Sequence, residues 1–169
     1  MNRAAAISVR LRSGTEADVD EIVRISERIW RDSLARVLSV DVESWANMAG
    51  MRHAELIPIA RTTLLATLGC RIVGFSYRSC ALIEDLWIDP PFQGLGIGPE
   101  LLGAQVAAIA ADGYRTASLE CLETNVRARR FYEREGWRAV YRYSRPSHAF
   151  GRNIPRIRFE YDVWRPGRP

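Results

Sequence analysis

Residues 93–98, with the sequence QGLGIG, are the part of the chain best suited to binding a ligand. Three glycines lie between an apolar, strand-like run and a helical pattern, so backbone N–H groups can converge there without side-chain obstruction. The helix N-terminus behind them adds partial positive charge. Together these features predict an anion site that suits phosphate or pyrophosphate. A turn that is merely tight needs fewer glycines, which makes that alternative the weaker one.

Two common nucleotide-binding patterns do not fit this segment. A P-loop requires Lys followed by Ser or Thr after its last glycine, and here Pro99 follows Gly98. A dinucleotide fingerprint requires G-x-G-x-x-G. Its last glycine is replaced by Pro99 when the pattern starts at Gly94, and by Leu101 when it starts at Gly96. The phosphate must therefore belong to another kind of cofactor.

Two adjacent carboxylates, Glu84 and Asp85, interrupt the apolar run 81–88, which predicts a strand. Adjacent strand residues point to opposite faces, so we expect only one of the pair to look directly into a site on either face of the sheet. A carboxylate whose pKa is raised by burial can deprotonate an ammonium group through water. Glu84 is the first candidate for such a base, and Glu120 the second. The alternative for Glu84 is a rim carboxylate paired with an arginine.

The cysteines and histidines offer little further chemistry. Cys70, Cys80 and Cys121 form no CxxC pair, and each lies in or beside an apolar run, which predicts buried free thiols. A catalytic cysteine needs a histidine partner, and nothing places His53 or His148 near a thiol. Two histidines also argue against zinc, so we predict no metal cofactor.

Composition predicts one globular domain over residues 1–169. No apolar run approaches the roughly 18–20 residues that span a bilayer, and Arg10 and Arg12 interrupt the N-terminal patch, which favours a strand over a signal peptide. We therefore expect a cytoplasmic protein with no membrane partner. The net charge of +4 comes with no lysine, and the arginines are spread along the chain, so we expect no nucleic-acid partner. The arginines are somewhat denser on one predicted helix, and this spacing predicts a solvated helix face. These arginines are Arg127, Arg129, Arg130 and Arg134.

Hydrophobic periodicity predicts the order β-α-α-β-β-β-α-β-α-β-β. Thr15 opens the first helix, with Asp18 in a variant capping box. The predicted strands are residues 7–12, 62–68, 71–79, 81–88, 116–122, 138–144 and 156–164, and the later helices are 42–55, 98–111 and 125–135. This order indicates a mixed sheet with helices packed on it, and residues 82–122 form a right-handed βαβ unit with parallel strands.

The glycine loop resembles the acetyl-CoA loop of the GNAT N-acetyltransferase family, Gln/Arg-x-x-Gly-x-Gly/Ala, at Gln93, Gly96 and Gly98. A second family motif follows the strand after the loop helix and comprises Asn125, Ala128, Tyr132, Gly136 and Trp137. The family's order of elements also matches, over most of the chain. Pro99 is the one departure, and it removes an amide donor at a place where the first turn of a helix tolerates proline.

The resemblance implies an α+β GNAT fold, a twisted mixed sheet of about seven strands flanked by about four helices. It implies acetyl-CoA as the donor, bound where strand 82–88 splays from strand 116–122. Backbone groups of that strand would pair with the pantetheine arm, and the amide of Ile88 would donate to the thioester oxygen. The residues expected to bind the cofactor are Leu86, Trp87, Ile88, Gln93, Gly94, Leu95, Gly96, Ile97, Gly98, Pro99 and Asn125.

Tyr132 resembles the family's tyrosine that protonates the departing thiolate, and its alternative role is a core aromatic beside Phe131. The Glu84-Asp85 pair is similar to one in spermidine/spermine acetyltransferases, where the glutamate is regarded as the base. The family's first two helices roof the acceptor site, so their large side chains are pocket candidates, with core packing as the alternative. These side chains are Trp30, Trp45, Met48 and Met51.

The resemblance implies acetyl transfer to a primary amine by direct attack, without an acyl-enzyme. The adjacent carboxylates favour a cationic small molecule, such as a polyamine, an aminoglycoside or an amino-acid-like amine. The alternatives are a protein N-terminal acetyltransferase and a non-catalytic acetyl-CoA-binding module. A homodimer through the C-terminal strands is also consistent with the resemblance.

Overall fold

A computed structural model of the chain describes residues 9–34, 63–147 and 152–163. Its strands are β1 Arg10–Ser13, β2 Thr63–Leu68, β3 Arg71–Ser79, β4 Leu82–Ile88, β5 Thr116–Leu122, β6 Arg138–Ser147 and β7 Arg152–Asp162. Its α-helices are α1 Val19–Ile29, α2 Ile97–Ala111 and α3 Val126–Arg134. The helix predicted over 42–55 lies outside the described residues. Among the helices that are described, none is long and apolar enough to cross a membrane.

The strands form one mixed sheet in the order β1-β2-β3-β4-β5-β7-β6. Only β4 and β5 run parallel, as the predicted βαβ unit requires, and the other neighbouring pairs in the described sheet are antiparallel. The hairpin predicted at Gly69-Cys70 is present between β2 and β3. The mixed sheet predicted from periodicity and the α+β class implied by the resemblance are therefore confirmed.

The helices pack on the two faces of this sheet. One face, which we call the α1 face, packs Leu65 and Phe75 against Ile22 and Ile25 of α1. The opposite face, which we call the α2 face, packs Ala66 and Val73 against α2. Further along the sheet, α3 also packs on the α2 face, because residues of β5 and β7 form one core cluster with residues of α2 and α3.

The predicted capping box holds the start of α1. The backbone N–H of Thr15 donates to Asp18 Oδ2 at 2.9 Å, and the Thr15 hydroxyl donates to the same oxygen at 2.8 Å. Arg12 donates to both carboxylate oxygens, at 2.6 and 2.8 Å. The Arg12 guanidinium is the largest reason that the pKa of Asp18 lies well below its usual range. Asp18 therefore ties β1 to the turn that precedes α1.

Two sequence-based expectations need correction. Cys121 is buried, but Cys70 and Cys80 are exposed, because each lies in a turn between strands. Cys80 also has a φ of +52°, a turn conformation that ends β3. The two C-terminal strands are longer than predicted and take in Pro146 and Pro155, which sequence patterning alone assigns to a loop.

Candidate active site

A β-bulge in β4 orients the two adjacent carboxylates. Tyr77 of β3 lies opposite Asp85, and the next residue of β3 lies opposite Ile83, so Glu84 has no opposite residue. Ile83 and Leu86, three positions apart, both pack against α2. The two residues between them therefore both lie on the α1 face. This corrects the expectation that only one of the pair faces the acceptor side, because a bulge interrupts the alternation of the strand.

Beyond the bulge, β4 and β5 diverge. They pair only at Leu82 with Ser118 and at Ile83 with Leu119. The remainder of β4 pairs with β3 alone, which leaves its other edge without a neighbouring strand among the described residues. We call the space between the diverging strands the cleft. The splaying predicted for these two strands is thus confirmed.

The direction of the β4 backbone follows from one hydrogen bond and the register. Asp89 N donates to Val73 O at 3.0 Å, and Trp87 is two residues earlier in the same ladder. Backbone groups alternate in direction along an antiparallel strand, so those of Trp87 point to β3 and those of Leu86 and Ile88 point into the cleft. The expectation that all three residues offer backbone groups to a pantetheine arm is therefore wrong for Trp87.

The Trp87 side chain instead shapes the α1 face. Its indole N–H donates to Asp85 Oδ1 at 3.0 Å, and its ring lies 5.8 Å from that of Phe75. Asp85 is thus held by a hydrogen bond, whereas Glu84 has no hydrogen bond or ion pair within the described part of the chain. Of the two carboxylates, Glu84 is the one available to an acceptor.

A buried carboxylate fixes the end of β4 where the glycine loop begins. Asp89 is fully buried and accepts hydrogen bonds from Arg28 of α1 at 2.8 and 3.1 Å, and from Arg71 of β3 at 3.1 Å. Arg71 also lies over the Phe92 ring, 4.8 Å from its centroid. Gln93 donates from its side chain to Ile88 O at 2.9 Å, which leaves the Ile88 amide as the group that faces the cleft. These contacts hold the loop without any ligand.

The glycine loop presents a set of free amides. Gly94 and Gly96 both have a φ of +84°, which places the chain in the left-handed region that favours glycine. Gly96 caps α2, and Pro99 is the third helical residue, where a missing N–H breaks no helical hydrogen bond. Within the described ranges, no intramolecular partner is present for the amides of Gly94, Leu95, Gly96, Ile97 and Gly98. This arrangement suits an anion.

Tyr132 connects α3 to the cleft. Its ring lies 5.2 Å from Phe131 and 5.7 Å from Phe159, so the expected aromatic packing is present. Burial raises its pKa above the ordinary value, and the neighbouring Cys121 and Asp85 raise it further. The Tyr132 side chain packs in the core cluster that includes Cys121 of β5 and Leu86 of β4, the two strands that border the cleft. Packing and proton donation are compatible roles for this residue.

Asn125 has a structural role that its motif position does not reveal. Its side-chain oxygen accepts a hydrogen bond from Ala128 N at 3.1 Å and so caps α3. Helices α2 and α3 also contact each other closely. A Cβ on Gly98 of α2 would lie 3.3 Å from the Phe131 ring of α3. A glycine at this position therefore sets the spacing between α2 and the helix that carries Tyr132.

The electrostatics favour Glu84 over Glu120 as a base. Partial burial raises the pKa of Glu84, with further increases from Asp85 and Glu120, while Arg145 and Arg158 lower it. No arginine forms an ion pair with Glu84 among the described residues, so the rim-pair alternative lacks its partner. Glu120, in contrast, lies within 4 Å of three guanidinium groups. Its distances are 3.3 Å to Arg158, 3.8 Å to Arg156 and 3.9 Å to Arg145.

The guanidinium groups around Glu120 belong to residues that the sequence motifs do not reveal. Arg156 and Arg158 flank Ile157, so strand alternation alone places both on one face. That alternation was the sequence signal that could have revealed the two arginines.

Of the four pocket candidates on the first two helices, Trp30 is buried, and Trp45, Met48 and Met51 lie outside the described residues. Of the helix arginines, Arg129 is half-buried and donates to Glu123 O at 3.1 Å, and the others are exposed as expected.

The sequence profile of the acetyltransferase (GNAT) family matches residues 19–137, which include β4, the glycine loop and Tyr132. The chain belongs to this family. As a GNAT protein it is an acyltransferase, and the resemblance seen in the two motifs is confirmed. Among curated proteins, no sequence match to the chain was found.

Solved structures share the fold of this GNAT chain. A GCN5-related N-acetyltransferase from Rhodopseudomonas palustris is 20% identical, with a TM-score of 0.75 and coverage of 95% of this chain and 99% of that chain. The PaiA N-acetyltransferase from Thermoplasma acidophilum, in complex with coenzyme A, is 14% identical, with a TM-score of 0.74 and coverage of 92% and 99%. YncA from Salmonella typhimurium, with its cofactor acetyl-CoA, is 17% identical, with a TM-score of 0.65 and coverage of 96% and 98%.

Proposed function

We propose that this GNAT enzyme transfers an acetyl group from acetyl-CoA to the primary amine of a small molecule by direct attack. The observation that carries the proposal is the continuity of the site. The unpaired amides of the glycine loop follow the open edge of β4, and Tyr132 packs in the same core cluster as Leu86 of that strand. Such a path suits a long donor with a pyrophosphate at one end and a thioester at the other.

Each part of the donor has a matching group in the chain. The loop amides and the N-terminus of α2 would bind the pyrophosphate. Leu86 and Ile88 would pair with the pantetheine arm in the manner of an added strand. The coenzyme A and acetyl-CoA complexes of PaiA and YncA, which share the fold, support this assignment of the donor.

The chemical step needs a base, an oxyanion donor and an acid. Glu84 would accept the ammonium proton through water, and the freed amine would attack the thioester carbonyl carbon. The Ile88 amide would stabilise the oxyanion. As the carbon–sulfur bond breaks, Tyr132 would donate its proton to the thiolate. Burial keeps Tyr132 protonated, and the same dry surroundings raise the proton affinity of a thiolate formed beside it.

A thiol-release assay with a panel of small amines and short peptides tests this function, with acetyl-CoA binding measured by calorimetry on the same samples. We expect binding of acetyl-CoA and turnover with at least one small amine. Turnover only with peptides would replace the proposal with protein N-terminal acetylation. Binding of acetyl-CoA without turnover on any acceptor would favour a non-catalytic module.

A further inference from the structure

The α1 face carries a cluster of cationic side chains next to the carboxylate assigned as the base. The cluster consists of Arg145 of β6 with Arg156 and Arg158 of β7, gathered around Glu120 of β5. Of the three arginines, Arg158 donates a hydrogen bond to Glu120, at 3.3 Å, and it also donates to Ser118 Oγ at 2.7 Å. One carboxylate therefore faces three guanidinium groups, and two of these lie beyond hydrogen-bond distance from it.

One buried polar atom in this cluster has no partner. Arg156 Nε is buried without a hydrogen bond in the described structure. Tyr143 lies directly opposite Arg156 in the β6–β7 ladder, and its hydroxyl lies beside the Glu120 carboxylate. Burial, followed by the interaction of the hydroxyl with Glu120, raises the pKa of Tyr143 to about 12. Its hydroxyl therefore stays protonated and can donate. Buried donors without partners are rare in proteins and call for an explanation.

The cationic cluster lies next to Glu84 on the same face of the sheet. Glu84 and Glu120 directly follow Ile83 and Leu119, the last paired residues of β4 and β5, and both lie on the α1 face. In agreement with this placement, Arg145 and Arg158 lower the pKa of Glu84, and Glu120 raises it. The α1 face at the cleft thus has a negative pole at Glu84 and a positive pole at the cluster. A polycation would meet three arginines here, whereas a molecule with one ammonium and one carboxylate would match both poles.

We propose, on the basis of the acetyl transfer proposed above, that the acceptor is a free amino acid, with its amine at Glu84 and its carboxylate held by Arg145, Arg156 and Tyr143. The carboxylate supplies the acceptor atom that Arg156 Nε lacks, and the protonated Tyr143 hydroxyl can donate to the same group. Hydrogen bonds between arginine and a carboxylate are charge-assisted, and they are shorter and stronger than those between neutral groups. A peptide N-terminus has no carboxylate beside its amine, and a polyamine has none at all.

Acceptors in matched sets of three test this inference. Each set holds an α- or ω-amino acid, its carboxamide and the amine left by decarboxylation, assayed by thiol release at saturating acetyl-CoA. We expect kcat/KM for the best amino acid to exceed that of its carboxamide and its amine by about tenfold or more, the factor expected for a lost charge-assisted hydrogen bond. Equal turnover of the three members in every set would overturn the inference.

Variants of the cluster identify the residues involved. Arg156→Gln and Tyr143→Phe should each raise KM for the amino acid by about three- to tenfold and leave turnover of the decarboxylated amine unchanged. Arg142→Gln is the matched control, because Arg142 lies on the same strand but pairs with Glu123 at 3.1 Å and points to the α2 face. Tyr143→Phe removes only the hydroxyl beside Glu120, and thermal unfolding checks that the variant stays folded. An unchanged KM in both variants would refute the assignment.

The outcome also separates this inference from the proposed function. If amines without a carboxylate are acetylated and amino acids are not, the inference fails and the proposed function stands. If acetyl-CoA binds but no acceptor releases thiol, the proposed function fails. Calorimetry with amino acids and the coenzyme A-saturated protein then decides the anion site: binding that is lost in Arg156→Gln supports it, and no binding overturns it.

Discussion

Among single residues, Glu84 has surroundings that give a signed pH prediction. Its pKa is raised by partial burial and by Glu120, and lowered by Arg145. A base with a raised pKa loses its proton at higher pH, so the acidic limb of kcat/KM should lie above the position of an ordinary glutamate. Glu120→Gln should move this limb to lower pH, and Arg145→Gln should move it to higher pH. The pH dependence of kcat/KM in the three proteins is the measurement.

The control for this pH prediction is Glu84→Gln, which removes the base. In that variant the acidic limb should flatten, and a second substitution at Glu120 should no longer shift it. An acidic limb that persists unchanged in Glu84→Gln would assign the titration to another group and remove Glu84 from the mechanism.

Two glycines near α2 make a matched pair for testing the loop. Gly96 has a φ of +84°, so Gly96→Ala should destabilise the fold by about 1–2 kcal/mol and weaken acetyl-CoA binding. Gly103 lies exposed within α2, and a Cβ there would meet no atom within 4 Å, so Gly103→Ala should stabilise the helix by about 0.5–1 kcal/mol without affecting binding. Chemical denaturation and calorimetry check both. Equal effects of the two substitutions would argue against a strained, ligand-binding turn.

Residue types, their spacing and the family resemblance were enough to single out the glycine loop, Tyr132 and Glu84 as candidates. They were not enough to orient Glu84 and Asp85, because the bulge in β4 depends on the register with β3 and has no local sequence signal. The cluster around Glu120 was missed for a related reason. Its arginines come from two strands that meet only in the folded sheet.

At the scale of elements, Asp89 links α1, β3 and the glycine loop. It accepts charge-assisted hydrogen bonds from Arg28 and Arg71, and its own side chain is fully buried. Asp89→Asn should therefore destabilise the fold by about 2–4 kcal/mol and raise the Kd for acetyl-CoA, since the end of β4 loses its anchor. Thermal unfolding and calorimetry are the two readouts.

Asp112→Asn is the surface control for that substitution. Asp112 pairs with Arg78 at 2.6 Å but is half exposed, so its loss should cost at most about 1 kcal/mol and leave acetyl-CoA binding unchanged. If Asp89→Asn is no more destabilising than this control, the buried link does not hold the loop.

The sequence predicted the kind and order of the described elements well because their apolar periodicity is strong. The helix predicted at 98–111 begins one residue earlier, and the strands predicted at 71–79 and 116–122 have the same bounds in the structure. The C-terminal strands were predicted too short because Pro146 and Pro155 are loop signals in isolation. Backbone pairing across β6 and β7 accommodates both prolines.

At the scale of the whole molecule, the α1 face changes character along the sheet. Over β2 and β3 it packs Leu65 and Phe75 against α1, and over β5 and β7 it carries the charges that would select the acceptor. The two adjacent carboxylates by themselves favour a cationic acceptor, whereas the folded sheet adds three arginines beside them. β6 forms one edge of the described sheet. A homodimer through the C-terminal strands stays a prediction.

The proposed acetyl transfer depends most on Tyr132 as the acid in the cleft, and Tyr132→Phe tests it most directly. The measurement is kcat with the best acceptor, alongside the Kd for acetyl-CoA, with the exposed Tyr114→Phe as the control. We predict a fall in kcat of about 10²–10⁴-fold, as for loss of a general acid, with an unchanged Kd and no effect in the control. An unchanged kcat in Tyr132→Phe would contradict this role.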